Sequence, residues 1–166
     1  MPNLIDDIKM KGVTLADTSG NLYQSGTKIT ATAAQLSTLT GTDRAVKIAK
    51  VALAAKDTGG GVLAWANPEV ASIIIERIIL DVTRAATAAC TIDVGTTATS
   101  ATTSSDNLID GVDVNTAVGV FDNITDKGNN GKSKQKLESG KWVTGSKASG
   151  AAAGLAGYAY IFYIVI

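Results

Sequence analysis

Beyond residue 44, apolar positions recur mostly at a period of two, and clusters of Gly, Asn, Asp, Ser and Thr interrupt them. That pattern predicts strands over 46–54, 61–66, 71–83, 89–94, 117–122, 134–137, 141–144 and 157–166. The strongest is Ser72-Ile-Ile-Ile-Glu-Arg-Ile-Ile-Leu-Asp-Val-Thr83. Strict alternation puts Ile73, Ile75, Arg77, Ile79, Asp81 and Thr83 on one face, and Ile74, Glu76, Ile78, Leu80 and Val82 on the other. Both faces are mainly apolar, which predicts a central strand between two layers. The Glu76-Arg77 interruption suits a bulge or an interface, and a helix fits part of the run. Segment 46–54 is equally ambiguous, because Val46, Lys50 and Leu53 also suit a helix. Short strands separated by turn signals predict a mainly β chain, folded as a β-sandwich of jelly-roll type.

The pattern changes near residue 43, which divides the chain into an arm, 1–43, and a β domain, 44–166. In the arm, Val13 and Leu15, then Leu22, predict short strands around a turn at Asp17-Thr-Ser-Gly20. Further on, Thr32 and Gln35 have capping-box spacing, Leu36 and Leu39 lie one turn apart, and Gly41 can end a helix. A small helix over 33–39 is expected, too short to be stable alone. Leu36 and Leu39 would dock it on the body or on a neighbouring chain.

The 19 residues 148–166 carry no charge and include Gly150-Ala-Ala-Ala-Gly154, so length alone would allow a membrane helix. The first half is Ala/Gly/Ser-rich and barely hydrophobic; the second, Tyr158-Ala-Tyr-Ile-Phe-Tyr-Ile-Val-Ile166, is aromatic and β-branched. That composition predicts a buried core strand and no membrane partner. The opening residues Met1-Pro-Asn-Leu-Ile-Asp-Asp7 do not read as a secretory signal.

Composition narrows the chemistry. Lys+Arg and Asp+Glu both number 15, a balance that argues against nucleic-acid binding. His is absent, so the commonest general base and zinc ligand are missing. The one cysteine, Cys90, excludes an intrachain disulfide and reads as a small core residue. Charge falls in blocks: seven Asp between Asp81 and Asp126, then six Lys between Lys127 and Lys147. Such blocks suit solvated loops, a match within the fold, or a match between copies.

Asp106-Asn-Leu-Ile-Asp-Gly-Val-Asp-Val-Asn115 gathers oxygen ligands, but not at EF-hand spacing, and turn chemistry explains them better than a metal. Gly59-Gly-Gly61 lacks the Lys-Ser/Thr of a phosphate loop and reads as a hairpin turn. Trp65 and Trp142 are the candidates for stacking on a ligand such as a sugar, with core packing as the rival reading. No carboxylate pair stands out among fifteen acids. No catalytic residue, metal or cofactor is expected, and the chain reads as a structural or binding protein.

Thr30-Ala-Thr-Ala-Ala-Gln-Leu-Ser-Thr-Leu-Thr-Gly41 resembles the "TAAELN-L-G" segment of tailed-bacteriophage and prophage virion proteins, with Gln35 in place of Glu and Ser37 in place of Asn. The run from Gly60-Gly-Val-Leu-Ala-Trp-Ala-Asn-Pro68 through the isoleucine strand, Cys90-Thr-Ile-Asp-Val-Gly95 and Asp106-Asn-Leu-Ile-Asp-Gly111 to the closing Gly-Tyr-Ala-Tyr-Ile-Phe-Tyr-Ile is similar to small phage proteins of capsid-surface or fibre type. The resemblance implies a non-enzymatic virion component of head-decoration or head-fibre type, often trimeric. It would be made in the host bacterial cytoplasm and bind the major capsid protein through its arm. A receptor-binding module at a tail-fibre tip is the alternative.

Overall fold

The computed structural model describes residues 45–56, 61–100, 105–116 and 118–166, together with four two-residue strands nearer the start of the chain. The chain falls into two compact units, Met1–Thr42 and Asp43–Ile166.

In the first unit, β1 (Lys9–Met10), β2 (Val13–Thr14), β3 (Tyr23–Gln24) and β4 (Thr27–Lys28) pair in sequence order as an antiparallel meander. Val13 pairs with Gln24 and Thr14 with Tyr23, so β2 and β3 flank the expected turn. The expected helix over 33–39, with Leu36 and Leu39, lies outside the described residues.

The second unit is a β-sandwich. One sheet has the order β10 (Gly119–Asp122), β7 (Ile73–Arg84), β13 (Ala156–Val165), β5 (Lys47–Leu53), with β11 (Gln135–Leu137) also on β7. The other has the order β6 (Leu63–Ala66), β12 (Trp142–Gly150), β8 (Cys90–Thr97), β9 (Ile109–Asp113). Every pairing is antiparallel. The facing surfaces share one core, including Ile75, Ile78 and Leu80 of β7, Ala159 and Ile161 of β13, Ile92 and Val94 of β8, and Val143 of β12. The ambiguous segment at 46–54 forms strand β5, and the closing aromatic run forms β13, paired on both sides.

Strand β7 departs from strict alternation. Ile75 pairs with Tyr163 and Arg77 with the adjacent Phe162, so Glu76 is the extra residue of a bulge. The bulge switches the side-chain phase: Ile73 and Ile75 before it, and Ile78, Leu80 and Val82 after it, all enter the core. The strand is therefore central in its sheet but buried on one face only. Ile74, Ile79 and Asp81, half-buried, lie on the other.

In the sandwich, β9 and much of β12 are strand where none was expected, and β8 runs on to Thr97. Residues 109–113 form β9, with a register shift opposite Ile92 and Val94. There Gly111 takes φ 74°, and the Asp93 carboxylate accepts its N–H at 2.8 Å. That bulge breaks the alternation which would have marked the strand. Strand β12 runs six residues past the expected end at 144, through Gly145-Ser-Lys-Ala-Ser-Gly150. Backbone pairing with β8 continues through this part, joined by a hydrogen bond between the Thr91 and Ser149 hydroxyls.

The gap between β10 and β11 along β7 is closed by a side chain. Asn123 is fully buried; its Oδ1 accepts the Ile78 N–H at 2.7 Å, and its Nδ2 donates to the Lys132 and Ser133 carbonyls at 3.0 Å each. Asn67 plays a similar part between the β6–β7 turn and β11, donating to the Ala71 and Glu138 carbonyls and accepting from the Glu69 N–H.

Candidate functional site

Trp65 and Trp142 lie on opposite faces of one sheet. Trp65 pairs with Val143, a core residue, and its ring packs against the core, 5.3 Å from the Tyr163 ring at 52°. Trp142, the next residue along from Val143, is half-buried on the outer face beside Thr97 and Ala66. Successive strand residues point to opposite faces, so the two rings cannot form one stacking platform. The Trp65 side anchors a polar cluster instead. Glu69 Oε1 accepts from Lys47 Nζ at 2.9 Å and from the Tyr163 hydroxyl at 3.1 Å. The Lys47 hydrogen bond leads in lowering the Glu69 pKa, against the opposing effect of desolvation, while burial and the Glu69 contact raise that of Tyr163. This ties the start of β5 to β13 and the β6–β7 turn.

A groove of about 420 Å³ lies between the end of β8 and β11, lined by Thr96, Thr97, Gln135, Lys136, Glu138 and Lys141 among others. Its lining carries charges of both signs beside the apolar Ala98 and Leu137, and Trp142 does not line it.

The carboxylates of the oxygen-rich segment 106–115 are engaged by hydrogen bonds within the chain, around strand β9. Asp106 accepts from Asn130 Nδ2 and Asp110 from the Asn130 N–H, while Asp113 accepts from the Asn115 and Thr116 N–H groups. Asp93 has a raised pKa, mainly because burial penalises its charge, with Asp110 and Asp106 adding repulsion against the Gly111 hydrogen bond. Among the described residues, no three acids or cysteines are grouped to hold a metal. Cys90 is buried in the core. The glycine turn at 59–61 lies, apart from Gly61, outside the described residues. No helix of the described residues is long and apolar enough to cross a membrane, and 156–165 is strand.

Asp122 is held well below the usual carboxylate range. Burial works to raise its pKa, but the Thr125 N–H, the Arg77 guanidinium, the Ile124 N–H and the Thr125 hydroxyl outweigh it and bring it to about 2. These bonds hold the turn after β10 against the β7 bulge.

The most prominent surface is the outer face of the β10-β7-β13-β5 sheet. In β13, Ala159, Ile161 and Tyr163 are buried, so Tyr158, Tyr160, Phe162 and Ile164 point outward. In register, Tyr158 lies between Ala52 and Asp81, Tyr160 between Lys50 and Ile79, and Phe162 between Ile48 and Arg77. Val120 of β10 lies opposite Asp81. Ile48 is 61% exposed, Val120 65% and Tyr158 39%. Val46 and Val118, also exposed, extend the Ile48 and Val120 rows by two positions. Lys50 Nζ sits 3.8 Å from the centre of the Tyr158 ring, a cation–π contact. Reading the closing run as wholly buried misses this face. Its signal is the alternation of Tyr and Phe with Ala and Ile.

Neither a scan of protein-family models nor a search of curated proteins finds a match. Among solved structures, the capsid of Ralstonia phage GP4 contains a chain of similar fold. The TM-score is 0.52 at 20% identity, covering 74% of this chain and 85% of that one. This likeness concerns the fold of the chain.

Proposed function

We propose that this protein is a non-enzymatic structural component of a tailed-bacteriophage virion, bound to the capsid surface as a decoration or head-fibre protein. The carrying observation is the likeness of its fold to a chain in the GP4 capsid. The phage-like segment at 30–41 and the absence of His point the same way. In this reading, residues 1–43 attach to the major capsid protein, with Leu36 and Leu39 as apolar anchors, and the sandwich faces outward in a homotrimer. Burial of apolar surface between chains, multiplied over many copies, supplies the stabilisation.

The test is co-sedimentation of purified full-length chain with expanded capsids that lack it. Saturable binding that raises the temperature of capsid disruption is the expected result. Failure to bind capsids, or turnover of peptidoglycan or polysaccharide, would overturn the reading. The fibre-tip alternative predicts an exposed aromatic or polar groove with sugar affinity, which a glycan array tests.

A further inference from the structure

We infer that the outer face of the β10-β7-β13-β5 sheet docks on a second copy of this chain. The inference deepens the capsid-surface reading, and rests on it for the many copies present together.

Three observations support this occupant. The first is apolar content. Among the described residues, Ile48, Tyr158 and Val120 are exposed on one sheet face, with half-buried Phe162 and Tyr160 between them. A contiguous patch of this kind is uncommon on a monomer unless it meets something.

Extent is the second. Strands of 4, 12, 10 and 7 residues, at ~3.3 Å rise and ~4.8 Å spacing, give roughly 500 Å² of flat sheet. Side-chain relief adds to this, so the face is of the order of the ~800 Å² per partner of a stable interface.

The third is charge. The face carries both signs: Lys50 on the β5 edge, Asp81 on β7 opposite Val120, and Arg77 further along β7, whose charge is met by Asp122 within the chain. A partner of single-sign charge would meet repulsion at one end. A copy related by a two-fold axis places its Asp81 against Lys50 and its Lys50 against Asp81, so the face complements itself. Because the same patch serves on both sides, the contact is isologous and joins two neighbouring copies as a closed pair.

The experiment is sedimentation velocity of the full chain over a concentration series, with Ile48→Thr, Val120→Thr, Lys50→Asp, Asp81→Lys and the Lys50→Asp/Asp81→Lys double variant. Threonine keeps strand propensity, and circular dichroism with thermal unfolding confirms that each variant folds. The wild type should self-associate. Each single variant should weaken association about tenfold or more, and the charge swap should recover most of it. A monomeric wild type, an oligomer indifferent to all four single changes, or a swap no better than its parents would overturn the inference. Capsid binding is measured separately. A monomer that binds capsids sinks only the inference, and an oligomer that ignores them sinks only the capsid reading.

Discussion

The Asn123 side chain stands in for a missing stretch of strand against Ile78. Its Oδ1 takes the Ile78 N–H at 2.7 Å, while its own N–H donates to the Ile78 carbonyl at 3.3 Å. Both backbone groups of a core residue are thereby satisfied where β10 has ended and β11 has not begun. Asn123→Ala leaves the Ile78 N–H and the Lys132 and Ser133 carbonyls without that partner, while the backbone N–H of residue 123 still meets the Ile78 carbonyl. The expected loss is about 3 kcal/mol in urea unfolding, since a stranded buried donor costs about 1–3 kcal/mol. A loss under about 0.5 kcal/mol, as for an ordinary surface change, would contradict this role.

Acid should weaken the fold through Asp122. Its pKa falls from 3.8 to about 2 on folding. The native state thus favours the ionised form, whose contribution is complete above about pH 4 and is lost as the pH falls through 2. The contribution is about 2 kcal/mol. Glu69 and Asp113, also lowered, act in the same sense, whereas Asp93, raised, opposes them. Stability measured by urea unfolding between about pH 5 and 2 should fall less steeply in Asp122→Asn. An unchanged slope would remove Asp122 as a cause.

Two glycines should respond very differently to a methyl group. At Gly157 a β-carbon would stand 2.0 Å from the Asp81 carbonyl oxygen, inside the β13–β7 ladder. At Gly140, with φ 71°, it would meet nothing within 4 Å. Gly157→Ala should cost about 2–4 kcal/mol through overpacking, and Gly140→Ala roughly 1 kcal/mol through backbone strain. Equal shifts in unfolding midpoint would refute the contrast.

Truncation after Gly157 should abolish folding. It removes the strand between β5 and β7 with the buried Ala159, Ile161 and Tyr163. A large apolar side chain is worth about 1.5–3 kcal/mol when fully buried. Cooperative unfolding of the truncated protein would contradict this.

Replacing Leu36 and Leu39 together by Asp should abolish capsid binding while leaving the thermal unfolding of the sandwich unchanged. Retained binding would show that attachment lies elsewhere.

The sandwich was legible because its strands carry β-branched residues at period two between polar turns, as in β7, β8 and β13. What escaped did so for local reasons. The bulge at Glu76 swaps which isoleucines are inside, so a fixed period assigns half of β7 to the wrong face. Gly111 and its partner Asp93 hide β9 inside a segment that resembles a turn. The small residues of β12 carry almost no hydrophobic signal, since their backbone partners lie some fifty residues away in β8. Asn67 and Asn123 look like turn residues, and only the fold reveals the carbonyls they reach. The aromatic face had a readable cue in the alternation of β13, but burial of the whole run was the simpler reading.

The position of β13 sets an order of events during synthesis. It leaves the ribosome long after its neighbours β5 and β7. Until then those strands carry unpaired ladder groups, and the Ile-rich side of β7 lacks its central companion. The sheet can close only when β13 arrives, so a nascent chain cannot present the finished outer face to another copy. Folding therefore precedes assembly, and the many long-range pairings should make it a slow step.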